Sequence, residues 1–263
     1  YFISLITELD QALPGAGSLE ERMSAIQSRF IIPADKLDTV FNVAIETARK
    51  ITLEKFELPE GETFTLEYVR DKPWSGYNWY QGNYNSLIQI NIDKPIYVDR
   101  VIDLACHEGY PGHHVYNMLL EKNLYADKGW VEISMYPLYS PQSLIAEGSA
   151  NYGIDMVFPG ESFNNYSKEV LMPLAGLDTT GADAYFKYIS LKSKLNYARN
   201  EAARGIINGT MTEKEYTHWL EDFAMIKTSV QFIKTYRSYV VNYNYGKDLV
   251  KNYIENQVES PSS

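Results

Sequence analysis

Residues 107–114 read His-Glu-Gly-Tyr-Pro-Gly-His-His, and this stretch holds three of the four histidines in the chain. A helical His-Glu pair followed by another histidine is how zinc hydrolases bind a metal and place a general base beside it. The common spacing puts the second histidine four residues after the first, but position 111 is a proline here. The second histidine ligand is therefore expected to be His113 or His114.

The geometry of a regular helix does not decide between these two histidines. His114, seven positions after His107, would point about 20° away from it, whereas a residue six positions on would point about 120° away. Pro111 removes a backbone N–H and Gly112 weakens the helix further, so we expect a kink or bulge at this point. A bulge would carry His113 back to the usual ligand position, and both histidines stay candidates.

A catalytic zinc has three protein ligands and one open position, so a third ligand should come from another element. Glu147 is the first candidate, because it lies in a run of small residues that would let its helix approach the metal closely. Asp155, two turns further along, is the alternative. Glu108 is predicted to be the general base that takes a proton from the attacking water.

Two further residues, Asp103 and His218, are considered for the metal site. Asp103 lies one turn before His107 and either orients that imidazole or is a solvated helix residue. His218, the remaining histidine, is expected on the exposed side of its helix, where it is a poor candidate for a metal ligand.

Helical periodicity in the first 60 residues gives way to strand periodicity. Apolar and polar residues alternate over 63–68 and again over 88–92, and both stretches are predicted to be strands. The aromatic, glycine-rich segment 74–82 between them is predicted to be a loop or an irregular hairpin. We expect a small antiparallel sheet, which either holds an extended peptide by strand addition, as in zincin enzymes, or only covers the core.

Helical patterns return after the sheet, interrupted by a covering loop predicted over 124–140. Ser140-Pro141 is a favourable helix start, with serine at the cap and proline at the first helical position. Thr212 and Glu215 fit a capping box. The helices predicted after the sheet are about 98–107, 115–121, one beginning at Ser140-Pro141, 181–207, 213–241 and 246–257.

Composition and charge restrict the class of protein. Apolar residues make up 45% of the chain, which is typical of a globular protein. The net charge of −10 argues against a nucleic-acid partner.

Cys106 is the single cysteine, so an internal disulfide is excluded. The sequence contains no run of about 20 apolar residues, so no membrane span is predicted. Because the sequence begins with Tyr1, we expect a processed or trimmed piece, and the compartment stays open.

The octapeptide, followed about thirty residues later by Glu147-Gly148-x-Ala150, resembles the bacterial family labelled domain of unknown function 885. Ser86–Asp93 and Asn242–Gly246 are also similar to that family's pattern, so the likeness covers roughly residues 60–250. Members look like zincin-type metallopeptidases related to mostly helical carboxypeptidases. The resemblance implies a zinc ion held by His107, by one of His113 and His114, and by Glu147, with Glu108 as the base.

The resemblance also implies roles for residues near the C-terminus. It implies a tyrosine close to the metal, best matched by Tyr243, which could donate to the developing oxyanion. Arg237, with Tyr239 beside it, could bind a substrate carboxylate. The chain departs from the family pattern at Ser149, where the family has an aromatic residue, and it lacks a Pro-Gly-Gln run before the C-terminal tyrosine.

The expected fold is mainly α with a small antiparallel β-sheet, an α+β class with a zincin-like helical metallopeptidase architecture. We expect one catalytic domain over 1–263. Its parts are a helical N-terminal part at 1–60, the sheet and metal-site helices at 61–158, C-terminal helices at 159–257 and a disordered tail at 258–263.

The predicted function is that of a zinc-dependent hydrolase with one zinc per chain. The first expectation is a metallopeptidase, with a carboxypeptidase as one form of it, that acts on short peptides or small amides. A zinc hydrolase of another amide or ester is one alternative. A non-catalytic peptide-binding protein that retains the fold is the other. The oligomeric state and the compartment are not predicted.

Overall fold

A computed structural model of the protein describes residues 1–257, which are mainly helical and include one three-stranded sheet. This confirms the predicted fold class. The chain forms two compact units, one made of Tyr1–Arg29 and Asp178–Asn244, the other of Phe30–Leu177 and the segment from Tyr245 onward. The single catalytic domain stays a prediction, and the tail predicted at 258–263 lies outside the described residues.

The regular elements follow one another in a simple order, with the sheet between the third and fourth helices. They are α1 (Phe2–Ala12), α2 (Leu19–Ser28), α3 (Leu37–Leu53), β1 (Thr63–Val69), β2 (Gly76–Gly82), β3 (Asn85–Asn91), α4 (Val98–Leu104), α5 (His113–Leu120), α6 (Pro141–Val157), α7 (Ser162–Tyr166), α8 (Met172–Ala175), α9 (Ala182–Leu195), α10 (Tyr197–Ile207), α11 (Glu213–Trp219), α12 (Gln231–Tyr236) and α13 (Tyr245–Gln257). Short π-helical turns span Ala105–Gly109, Glu121–Ala126, Ser167–Leu171 and Leu220–Ala224, and 3-10 turns span Ala34–Lys36, Val131–Ser134 and Arg237–Val241. None of the helices within residues 1–257 has both the length and the apolar character needed to cross a bilayer.

The capping signals read from the sequence are confirmed. The Ser140 side chain accepts from the Ser143 N–H at the start of α6, and Pro141 follows it. Thr212 and Glu215 form a capping box that begins α11. These side chains provide partners for the backbone N–H groups of the first helical turn, which have none within the helix.

Two of the predicted long helices are wrong in extent. The helix expected over 181–207 is broken at Asn196 into α9 and α10, although no proline or glycine marks the break. The helix expected over 213–241 ends at a left-handed Met225 with φ 53°, and a non-helical stretch precedes α12. A left-handed residue cannot continue a right-handed helix, so the chain must turn there.

The sheet is mixed rather than antiparallel, because segment 74–82 contains a third strand instead of a loop. Strand order is β1-β3-β2, with β3 parallel to β1 and antiparallel to β2. A tight turn at Asn83 and Tyr84, both with positive φ, joins β2 to β3. β3 lies between β1 and β2 in the sheet. Since β1 and β3 both run opposite to β2, the neighbouring strands β1 and β3 are parallel.

In the first unit, small residues on α10 allow neighbouring helices to approach closely. Tyr216, Leu220 and Ile233 are buried in the same cluster. The small residues at the centre of this cluster are Ala198, Ala202 and Ala203.

In the second unit, α3 packs against α4 and the π turn that follows it. Ile88 and Ile90 on β3 are fully buried beneath these helices. At Gly109, a Cβ would lie 3.7 Å from the Ile88 side chain and 3.8 Å from that of Ile45. The end of the π turn is therefore held between α3 and the sheet.

Candidate metal centre

The helix that carries His107 changes its hydrogen-bonding pattern just before Pro111. The Tyr110 N–H donates to the Ala105 carbonyl five residues back at 3.2 Å, and the Gly112 N–H donates to the Cys106 carbonyl six residues back at 2.9 Å. Proline has no N–H with which to continue the regular ladder. The predicted bulge is confirmed as the π turn Ala105–Gly109, and α5 begins anew at His113.

Two glycines allow this change of direction. A Cβ at Gly112 would overlap the carbonyl oxygens of the π turn. A Cβ at Gly153 on α6 would lie 2.8 Å from the Pro111 ring. The break in the helix is thus packed directly against the helix that supplies Glu147.

His107, His113 and Glu147 converge on one point and could hold a metal ion, since their ligand atoms all lie within 4.8 Å of one another. His107 Nε2 lies 3.3 Å from Glu147 Oε2, and His113 Nε2 lies 3.5 Å from Glu147 Oε1. Two atoms bound tetrahedrally to zinc at about 2.05 Å each are about 3.3 Å apart. The two distances to the Glu147 oxygens are close to this separation.

His114 does not belong to this cluster. Its ring is fully buried, and Nε2 lies 3.1 Å from Glu62 Oε2 while Nδ1 lies 2.7 Å from Ser86 Oγ. Both ring nitrogens are therefore occupied by other partners. Of the two histidines left open by the sequence, the structure brings His113 to the cluster and turns His114 away.

Asn151 orients the first histidine of the cluster, a contact that the sequence reasoning missed. Its Oδ1 lies 3.2 Å from His107 Nδ1 and accepts a hydrogen bond from the N–H there, so that Nε2 is the nitrogen that could bind a metal. Asn151 is four residues after Glu147 on α6 and so lies on the same helix face. Asp103, one of the residues that could have oriented the His107 ring, instead forms an ion pair with Arg100.

Small buried residues flank Glu147 on α6. Ala146, Gly148 and Ala150 are buried, and a Cβ at Gly148 would overlap the backbone of Gly246 on α13. The predicted close approach of this helix is therefore seen, and it includes α13. Asp155, the alternative ligand, pairs with Lys247 on α13 at 2.8 Å and is outside the cluster.

The Glu147 carboxylate and the two imidazoles shift one another's pKa values. Burial raises the pKa of Glu147, but the adjacent His107 and His113 imidazoles outweigh it and hold that pKa well below its usual range. Burial lowers the pKa of His107, but the Glu147 and Glu108 carboxylates raise it above its usual value. A buried carboxylate facing two imidazole nitrogens is a donor set typical of divalent transition metals.

Glu108 follows His107 in the π turn and is 5% exposed. Its backbone carbonyl accepts a hydrogen bond of 2.7 Å from Asn78 Nδ2 on β2. Its carboxylate lies against the start of β2, where a Cβ at Gly76 would be 2.9 Å from Glu108 Oε1. The general base predicted from the sequence therefore lies against an edge strand of the sheet, directly after His107 in the chain.

The other predicted site residues belong to the first unit. Arg237 is exposed and has a positive φ of 47°, which is a strained backbone conformation for a residue other than glycine. Tyr239 is buried, with its ring centroid 5.8 Å from that of the partly exposed Tyr243. His218 is exposed and hydrogen-bonded to the Lys214 carbonyl, as expected. The roles of Arg237, Tyr239 and Tyr243 stay predictions.

Comparison with known proteins gives a likeness in fold. No protein-family model matches the sequence. No curated protein matches it either. A similar solved structure is that of a protein described as a "putative lipoprotein" from Colwellia psychrerythraea, with a TM-score of 0.68 and 16% identity. The match covers 97% of this chain and 44% of that one, so the chain spans less than half the length of that protein.

Proposed function

We propose that this protein is a zinc-dependent hydrolase, and specifically a metallopeptidase that cleaves short peptides. The observation that carries the proposal is the convergence of His107, His113 and Glu147, whose ligand atoms lie within 4.8 Å of one another, with Glu108 directly after His107 in the sequence. The sequence resemblance to the domain of unknown function 885 family supports the same assignment. Zinc is proposed because two imidazoles and one carboxylate, with a fourth position left for water, form a common catalytic zinc site.

Zinc in this position would lower the pKa of a water molecule and polarise a substrate carbonyl. Glu108 is suited to accept the proton of the attacking water and to pass it to the leaving amine. The Asn151 side chain keeps the proton of His107 on Nδ1, so that Nε2 faces the centre. Glu147 is ionised near neutral pH, because its pKa is held well below the usual value.

Strand β2 offers a place for an extended peptide. The Asn91 N–H donates to the Ser75 carbonyl, so the odd-numbered residues of β2 pair with β3. The backbone groups of Gly76 and Asn78 then point to the outer edge, where no other strand pairs within residues 1–257. A peptide added at this edge would lie beside Glu108, which touches Gly76.

The test combines metal analysis with a peptide library. The purified protein is expected to hold one zinc per chain and to cleave a subset of peptides detected by mass spectrometry. Glu108→Gln should keep the zinc and lose activity by roughly 100- to 10,000-fold, as expected for removal of a general base. The matched control is Glu57→Gln, because Glu57 is an exposed glutamate in the same unit.

Three results would contradict parts of the proposal. Stoichiometric zinc without cleavage of any peptide would reject the peptidase. Cleavage of esters or other amides alone would replace it with a different zinc hydrolase. A protein that binds no zinc after reconstitution would reject the metal centre itself.

A further inference from the structure

A network of buried and partly buried polar groups connects α3 to the edge strand β2 through His114. Arg49 donates to Glu62 Oε1 from Nε at 2.7 Å and from a terminal nitrogen at 2.6 Å. Glu62 Oε2 accepts from the Tyr110 hydroxyl and lies 3.1 Å from His114 Nε2. The Glu62 side chain is only 3% exposed, so a carboxylate has been placed in the interior together with its partners.

The network of hydrogen bonds continues from His114 into the sheet. His114 Nδ1 lies 2.7 Å from Ser86 Oγ on β3, and Ser86 Oγ donates to Asn78 Oδ1 on β2 at 3.2 Å. Asn78 Nδ2 then donates to the Glu108 carbonyl at 2.7 Å. Each group is held by its neighbours on both sides, which fixes its orientation.

The last of these bonds reaches the backbone of the proposed general base. The Gly112 N–H, which would serve the Glu108 carbonyl in a regular helix, donates to the Cys106 carbonyl instead. Asn78 supplies a donor to the Glu108 carbonyl from β2. The position of Glu108 is therefore set from the sheet as well as from its own helix.

We propose that His114 and Glu62 are positioning residues, which hold the Glu108 backbone and strand β2 in one fixed arrangement through Ser86 and Asn78. This inference rests on the proposed function for its effect on turnover, although the fixed arrangement can be measured without substrate. It explains why a second histidine follows His113 directly. Adjacent residues on α5 point in directions about 100° apart, so one histidine faces the metal centre and the other faces the sheet.

The principal test variant is Ser86→Ala. It removes one oxygen from the middle of the hydrogen-bond network and leaves the charged Arg49 and Glu62 side chains in place. Asn78→Ala removes the next link, and the double variant completes a thermodynamic cycle. The matched control is Ser167→Ala, since Ser167 is also fully buried in the second unit and its hydroxyl bonds only locally, to the Phe163 carbonyl at 2.9 Å.

Three readouts are taken on the full chain loaded with zinc. They are zinc content, kcat and KM on a cleaved peptide, and hydrogen–deuterium exchange of segments 76–82 and 105–112. Ser86→Ala should keep its zinc and its KM, lose kcat by roughly 10- to 100-fold and exchange faster in these two segments. The double variant should lose no more kcat than Asn78→Ala alone, because both changes break the same connection.

The outcomes separate this inference from the proposed function. If Ser86→Ala matches Ser167→Ala in kcat and in exchange, the positioning role is overturned even though the peptidase stands. If the wild type cleaves no peptide, the proposed function fails and exchange alone decides. Faster exchange confined to the two segments then supports the fixed arrangement, and unchanged exchange overturns it.

Discussion

The imidazole rings of His107 and His113 lie with their centroids 4.7 Å apart and their planes at 88° to each other. They are six positions apart in the sequence, which on a regular helix would be about 9 Å along the axis with directions about 120° apart. The π turn and the new helix start at His113 remove this separation. The proline that interrupts the common zinc spacing is thus part of what brings the second histidine into place.

The first prediction concerns which histidine binds metal. His113→Ala should lose stoichiometric zinc, because it removes one of three converging donors. His114→Gln should retain one zinc per chain, since both nitrogens of His114 are occupied elsewhere. Zinc content after dialysis is measured by mass spectrometry, on samples shown by circular dichroism to be folded. Retention of zinc by His113→Ala together with its loss from His114→Gln would reverse the assignment.

The second prediction concerns the orientation of His107. Asn151→Ala removes the acceptor for the Nδ1 proton, so zinc affinity should fall by roughly 10- to 100-fold. Ser149→Ala is the control on the same helix, because its hydroxyl bonds only to the Ala146 carbonyl. Competition with a chromophoric chelator measures the affinity. Equal affinity in Asn151→Ala and wild type would show that Asn151 does not orient the ligand.

The third prediction concerns the contact between Glu108 and strand β2. In Gly76→Ala the new Cβ would lie 2.9 Å from Glu108 Oε1 and 2.7 Å from Leu104 Cδ2, so the carboxylate must move. We expect kcat to fall by roughly tenfold or more while zinc content is unchanged. Ser75→Ala, at the exposed neighbouring position, is the control. Full activity in Gly76→Ala would argue against this placement of the base.

The fourth prediction is a pH dependence of stability. Burial raises the pKa of Glu62, but hydrogen bonds from His114, Tyr110 and Arg49 outweigh it and lower the pKa from 4.5 to about 2. A depressed pKa stabilises the folded state above the unfolded value, and this stability is lost as pH falls from about 4.5 to about 2. The difference corresponds to about 3 kcal/mol for this nearly buried side chain.

This prediction is checked with urea unfolding of the wild type and Glu62→Gln across a pH series. The difference in unfolding free energy should be constant above about pH 5 and should shrink at lower pH, where the Glu62 carboxyl of the unfolded wild type becomes protonated while that of the folded protein stays ionised down to about pH 2. The comparison isolates Glu62 from the other carboxyl groups, which both proteins share. A difference that stays constant down to pH 3 would contradict a depressed pKa at Glu62.

The sequence was sufficient for the helical class and for most of the metal centre, because these depend on local signals. Pro111 predicted the bulge, but the choice of His113 depends on how α5 restarts, and this involves tertiary contacts such as that of Pro111 with Gly153. Strand β2 was missed because its aromatic residues Tyr77 and Trp79 are exposed, while its inner face includes Gly76 and Asn78. Hydrophobic periodicity cannot identify such a strand.

The last prediction concerns the packing of α6 on α13. At an open helix position, replacing glycine by alanine stabilises a protein by about 1 kcal/mol. At Gly148 the new Cβ would overlap the Gly246 backbone, so the sign should reverse and Gly148→Ala should destabilise the second unit by about 1–3 kcal/mol. Urea unfolding and hydrogen exchange of segment 245–257 measure this, with Ser149→Ala as the control on α6. Unchanged exchange in that segment and unchanged stability would show that the two helices can separate enough to accept a methyl group.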